Sequence, residues 1–167
     1  MKTFSSAEIL QECRWVAAKS KCLRARCGSI IINTNVFGQT QIIGRGYNSP
    51  PGDCSIALCR KDSLPADFKS DRTCCLHAEQ RAIVDALLHY PGLLRGAKLY
   101  FLRLTAEGLP AVAGSPYCTI CSKMALDAGL ATFALWQGQG FIAYEANLYN
   151  EWSFGFSDGP VSPSAKP

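Results

Sequence analysis

Cys74-Cys75-Leu76-His77-Ala78-Glu79-Gln80-Arg81-Ala82-Ile83 is the stretch that decides the reading of this chain, once it is set beside Cys118-Thr119-Ile120-Cys121. Together the two segments offer one imidazole, two closely spaced thiols and one carboxylate. Neutral imidazole and thiolate are donors that suit zinc. Three protein ligands leave the fourth tetrahedral position for water, whereas a structural site closes with four. His77, Cys118 and Cys121 are therefore the candidate zinc ligands, and Glu79 is a carboxylate left free to move protons.

Each half alone is weak. A Cys-x-x-Cys can be a redox pair, a structural zinc knuckle or two buried thiols, and a His-x-Glu occurs by chance on many helices. The conjunction is stronger because both halves fall where a helix should begin. Ala78, Ala82, Ile83, Ala86, Leu87 and Tyr90 recur with helical spacing up to Pro91-Gly92, and Ile120, Met124 and Ala128 do so up to Gly129. In a first turn His77 and Glu79 can both lean over the open end of the helix. The partial positive charge there favours thiolate at Cys118 and Cys121.

At 167 residues the chain has the length of one domain, read here as 1–156, with the apolar-poor segment 157–167 as a mobile tail. The net charge of +4 is mild, and the basic group Arg14, Lys19, Lys21, Arg24 and Arg26 reads first as a solvated helix face and loop. A small anionic substrate fits this charge as well as nucleic acid does. Nine cysteines would suit a disulfide scaffold, yet the first residues show no apolar signal segment and no stretch approaches a membrane span. The expectation is a cytoplasmic protein with no membrane partner, whose thiols stay reduced as ligands, catalytic groups or core residues.

Ser5-Ser6-Ala7-Glu8 has capping-box spacing and starts a helix that should end near Ser20. Ser29–Ile32 and Gln41–Ile43 read as short strands, joined through Asn35 to Gly38. Residues 48–76, with Pro50-Pro51-Gly52 and four cysteines, lack any sustained period and form a long loop. Lys98–Leu104 and Thr132–Trp136 are further strands. Glu107-Gly108 turns the chain into a second apolar stretch, Ala111–Ala113. Gly138-Gln139-Gly140 either reverses the last strand directly into Phe141–Ala143 or begins a looser connection.

His-x-Glu followed by Cys-x-x-Cys is the known signature of zinc deaminases. The chain resembles the cytidine deaminase superfamily, above all its deoxycytidylate deaminase branch, over about residues 17–129. The resemblance runs through SKCLRARCGSIII, GRGYNSPP, CCLHAEQRAI, GAKLYFL and CTICSKMALDAGL, in that order. It implies a three-layer α/β/α cytidine-deaminase-like fold with a mixed sheet of about five strands, and a homo-oligomer. It assigns the zinc to His77, Cys118 and Cys121, the proton shuttle to Glu79, and the substrate's base edge to backbone groups around Ala78 and Ser115. Asn48 resembles the asparagine that holds sugar and base; before Ser49-Pro50-Pro51 it is also a plausible turn residue.

Two departures stand out. The resembled pattern has Pro directly before the first cysteine, but here Pro116 is followed by Tyr117, which can stack on a base or simply pack. The segment Tyr100 to Cys118 is also longer than usual, with room for an extra hairpin. The implied function is hydrolysis of an amidine C–N bond in a cytosine-type nucleotide, deoxycytidylate first. The phosphate would fall to some of Arg24, Arg26, Arg45, Lys61 and Arg72.

The alternatives are a deaminase of a free nucleoside or base, a deaminase of a base in single-stranded nucleic acid or tRNA, and a zinc-binding module without chemistry. In this superfamily a direct reversal at Gly138 goes with free nucleosides and bases. Cys54, Cys59, Cys74 and Cys75, with Cys22 or Cys27, form either a second, structural zinc site or a set of reduced thiols.

Overall fold

A computed structural model describes residues 3–22, 24–53, 63–65 and 73–155. Helix α1 spans Ser6–Ala17 and strands β1 and β2 span Arg26–Thr34 and Thr40–Tyr47. Helix α2, Ala78–His89, is followed by β3, Lys98–Leu104, and the two-residue β4, Pro110–Ala111. Helix α3, Thr119–Asp127, then leads to β5, Thr132–Trp136, β6, Phe141–Glu145, and α4, Ala146–Phe154.

The sheet order is β2-β1-β3-β5-β6, with β4 paired to β3. It is mixed, because β3 and β5 run parallel while the other pairs are antiparallel. The central strands are apolar on successive residues, as strands covered on both faces must be. Alternation then sorts them. Ile30, Ile32, Leu102, Leu104 and Trp136 pack under α1 with Ile9, Cys13 and Val16. Ile31, Leu99, Phe101, Phe133 and Leu135 pack on the other face with Ile83, Cys121, Ala125 and Tyr149 from α2, α3 and α4. The result is the three-layer α/β/α arrangement.

Local chemistry fixes the ends of these elements. Ser5 and Glu8 close a capping box at the start of α1, with the Ser5 N–H donating to Glu8 Oε2 at 2.8 Å and the Glu8 N–H to Ser5 Oγ at 3.3 Å. The β3–β4 reversal uses Gly108 at φ 82°, and it supplies the extra hairpin expected between Tyr100 and Cys118. Gly138, at φ 88°, allows Gln137–Gly140 to turn β5 straight back into β6. The looser connection is thereby excluded.

β2 runs well beyond the expected Gln41–Ile43, through Gly44 and Gly46. Glycine weakens strand propensity, which hides this extension in the sequence. Its use is a close approach: a Cβ at Gly44 would meet the Ala82 carbonyl oxygen and lie 2.9 Å from Ala86 Cβ. A Cβ at Gly46 would run into the Ala78 carbonyl oxygen and the Ala82 amide nitrogen. α2 therefore lies directly on the β2 backbone and antiparallel to it, which brings its N-terminus to the end of β2. α3 connects the parallel β3 and β5 and likewise starts at their C-terminal ends.

Gly46→Ala should lower the thermal midpoint by about 3–10 °C, the range for about 1–3 kcal/mol of overpacking in a chain of this size. Gly92→Ala is the control, since nothing lies within 4 Å of its added Cβ. Thermal denaturation of both variants checks the seam, and equal midpoints would contradict it.

Candidate metal centre

His77 is the N-cap of α2, in extended conformation at φ −73° and ψ 153°, and its N–H donates to Gln80 Oε1 at 3.1 Å. Cys118 is the N-cap of α3, and its sulfur accepts the Cys121 N–H at 3.3 Å. Capping geometry thus aims both first ligands off helix ends, and Cys121, one turn into α3, points the same way. His77 Nδ1 lies 3.2 Å from Cys118 Sγ and 3.2 Å from Cys121 Sγ, and the two sulfurs are 2.9 Å apart. These residues are the only trio of metal-ligating side chains found together among the described residues.

The donor chemistry fits zinc. Bonds of about 2.3 Å to sulfur and about 2.0 Å to imidazole nitrogen would let one ion reach all three atoms. Charge is prepared for it as well. The hydrogen bond between Cys118 and Cys121, assisted by His77, overcomes burial and lowers the Cys118 pKa to about 5. Burial, with the hydrogen bond to Cys118, raises Cys121 well above the usual thiol range. One proton is thus shared between two sulfurs beside two helix N-termini, and a cation would replace it.

Glu79, in the first turn of α2, is only 2% exposed. Burial and then the Cys118 charge push its pKa up to about 7, partly offset by His77. Among the described residues no lysine or arginine offsets the desolvation of this carboxylate. A buried carboxyl that ionises near neutrality beside three metal donors can exchange protons with whatever binds there.

The remaining expected site residues divide. Ala78 is buried at the first helical position of α2, next to both His77 and Glu79. Tyr117 keeps over a third of its surface exposed, 37%, while its phenol end turns inward. There burial and the charges of Glu79 and Cys27 raise its pKa well above normal. Ser115 is half-buried at a bend in the approach to α3.

Asn48 is occupied by the chain itself. Its Oδ1 accepts from the Cys27 N–H and the Ser20 hydroxyl, each at 2.7 Å, and its Nδ2 donates to the Ala25 carbonyl at 2.8 Å. It ties the segment before β1 to the end of β2, and among the described residues its second amide proton meets no acceptor.

Among the phosphate candidates, Arg26 donates to the Ala106 carbonyl at 3.1 Å and Arg45 pairs with Glu12 at 3.3 Å, both on the α1 side of the sheet. Arg24 is exposed. Lys61 and Arg72 lie outside the described residues, as do Cys54 and Cys59. Cys74 and Cys75 are half-buried with sulfurs 4.0 Å apart. Burial, then Cys22 and Cys74, push the Cys75 thiol up to about 12.

Sequence reading gave no place to α4. Its buried Ala146, Tyr149 and Ser153 recur at helical spacing, but the run is short and aromatic. α4 is bound to α3 by a polar cluster: the Ser122 hydroxyl donates to Asn150 Oδ1 at 2.8 Å and meets Ser153 Oγ at 3.3 Å. Tyr149 is thereby carried into the core beside Cys118 and Cys121.

No family model matches the sequence, and no curated protein sequence matches it. Solved structures do. The cytidine deaminase from Burkholderia pseudomallei superposes with a TM-score of 0.54 at 15% identity, over 87% of this chain and 96% of its own. A mutant cytidine deaminase from Mycobacterium tuberculosis aligns at a TM-score of 0.45 and 14% identity, over 87% of this chain and 93% of its own. The first likeness shows a cytidine-deaminase-like fold, which here carries a three-donor zinc-type motif.

The purified protein should hold zinc that depends on Cys118 and Cys121. Elemental analysis of Cys118→Ala and Cys121→Ala is expected to show that zinc lost, with His89→Ala, on the exposed end of α2, unchanged. Full zinc retention in both cysteine variants would contradict the site.

Proposed function

We propose that this chain is a zinc-dependent hydrolase that deaminates a cytosine-type ring, exchanging the exocyclic amine for water to give a uracil-type ring and ammonia. The observation that carries the reading is Glu79, a buried carboxyl held at the same helix end as a three-donor metal site. A structural zinc site has no need of it. When bound, zinc would supply a water whose pKa is lowered to near neutrality.

The chain's own residues do the rest. With zinc held by His77, Cys118 and Cys121, Glu79 would take one proton from the attacking water and give it to the ring nitrogen, then take the remaining hydroxyl proton and give it to the departing amine, so one group would serve as base and acid in turn. A pKa near 7 suits both directions of transfer. Backbone groups at Ala78 and Ser115 are assigned to the base edge, Asn48 to the sugar and base, and Tyr117 to stacking on the base.

For the substrate, the direct β5–β6 reversal supports a free nucleoside or base, the arrangement associated with those substrates in the resembled superfamily. The engagement of Arg26 and Arg45 on the α1 side agrees with it. Deoxycytidylate is the second reading, favoured by GRGYNSPP and CCLHAEQRAI and by Lys61 and Arg72 in the loop between those motifs.

Two further features belong to the proposal. A second, structural zinc would take Cys54, Cys59, Cys74 and Cys75, with Cys22 or Cys27; its support is the pair Cys74 and Cys75, with sulfurs 4.0 Å apart, and two zincs per chain would be its signature. Self-assembly would use apolar surface such as Val84, Leu87 and Leu88, which α2 exposes. Among the described residues no helix is long and apolar enough to cross a membrane.

Glu79→Gln should lower kcat by about 10²–10⁴-fold, the usual worth of general acid–base catalysis, while zinc content stays at the wild-type level. Wild-type ammonia release from the variant would refute the proton-transfer role. The substrate is decided by kcat/KM for cytosine, cytidine, deoxycytidine, their monophosphates and a single-stranded oligonucleotide. A free nucleoside should come first. Deoxycytidylate first would establish the second reading, and turnover of the oligonucleotide alone would make the protein a nucleic-acid deaminase.

A further inference from the structure

Asn48 directly follows β2, at the end of the strand where the metal donors gather. Its neighbour Ser49 exchanges backbone hydrogen bonds with Leu76, at 2.9 and 3.4 Å, and Leu76 precedes His77. The Asn48 N–H donates to the Cys27 carbonyl at 3.2 Å, and Cys27 packs against the core cluster that holds Cys118 and Cys121.

The Asn48 carboxamide can be oriented in one way only. Oδ1 accepts from the Cys27 N–H and from the Ser20 hydroxyl, each at 2.7 Å, and Nδ2 donates to the Ala25 carbonyl at 2.8 Å. A backbone N–H can only donate and a carbonyl can only accept, so a flipped amide would set donor against donor and acceptor against acceptor. Both lone pairs of Oδ1 are therefore taken. What the side chain still offers is one N–H, which meets no acceptor among the described residues.

Ser20 is the one side chain among these partners. Its hydroxyl also lies 2.6 Å from the Asn48 carbonyl oxygen and accepts the Cys22 N–H at 3.1 Å, while its own N–H donates to the Ala17 carbonyl at 3.0 Å. The hydroxyl proton thus faces two acceptors on the same residue, and the oxygen is held from a third direction. We infer that Ser20 is a positioning residue that fixes the Asn48 carboxamide as a donor alone, so that it reads an acceptor oxygen of the ligand, on the sugar or at the ring carbonyl. The inference rests on the deaminase reading given above. It gives the exit of α1, from the opposite layer of the sheet, a part in the site, and a ligand that presents only a donor to Asn48 is rejected.

The test compares wild type, Ser20→Ala and Ser20→Thr by kcat and KM for cytidine and by the inhibition constant of free cytosine against it. Ser20→Ala should raise KM about 5-fold or more, the usual worth of one hydrogen bond, with kcat within about 2-fold of wild type. Ser20→Thr keeps the hydroxyl and should restore KM. A loss confined to cytidine places the acceptor on the sugar, and an equal loss for cytosine places it on the ring. Unchanged constants in Ser20→Ala, a threonine variant no better than the alanine one, or a kcat that falls in step with affinity would overturn the inference and leave the deaminase reading intact. Thermal midpoints of Ser20→Ala, Asn48→Ala and the double variant need no turnover. Linked side chains give non-additive shifts, and strictly additive shifts would overturn the inference even if no cytosine compound proved to be a substrate.

Discussion

The seam between β2 and α2 is the constraint on which the site depends. Gly44 and Gly46 leave no strand side chain at the two points where the helix crosses closest, and Ala78, Ala82 and Ala86 supply the matching small face. The helix then rests on backbone, so its height above the sheet is set by main-chain contact and not by adjustable side chains. His77 and Glu79 inherit that fixed height at the helix N-terminus. Gly28 repeats the device on the opposite face, where an added Cβ would stand 2.5 Å from the Ala17 amide nitrogen and 2.6 Å from the Cys13 carbonyl oxygen of α1.

A fixed frame matters because the groups assembled there are costly to assemble. A thiolate, a second buried thiol and a buried carboxyl converge with only two helix ends and one imidazole to balance them. A bound cation would reverse much of this cost by replacing protons on sulfur and attracting Glu79, so metal binding and folding stability are linked here. The same electrostatics would tune Glu79: burial lifts it toward neutrality, while the imidazole beside it keeps it from rising further. α4 closes the arrangement by bringing Tyr149 into the same core as Cys118 and Cys121.

Much of this was legible in the sequence, for physical reasons. His77, Glu79, Cys118 and Cys121 sit at helix starts whose apolar spacing is regular, so their convergence followed from two ordinary patterns. β3 and β5 are largely apolar runs, β5 buried at every position, and their observed limits are those read from the sequence. What escaped reading depended on tertiary context. The strand character of Gly44 and Gly46 exists only because a helix lies on them, and α4 is short, with aromatic residues that serve a strand as well as a helix. The role of Asn48 as a tie between Cys27, Ser20 and Ala25 could not be told from a turn or a ligand, because the sequence does not say which backbone groups surround it.

X-ray absorption at the zinc edge of the purified wild-type protein tests the central claim most directly. One zinc held by His77, Cys118 and Cys121 with an open fourth position predicts two sulfurs at about 2.3 Å and two nitrogen or oxygen neighbours at about 2.0 Å. The substrate-free Glu79→Gln protein should give the same first shell. Four sulfurs around a single zinc per chain would place the metal in the other cysteine cluster and contradict the account.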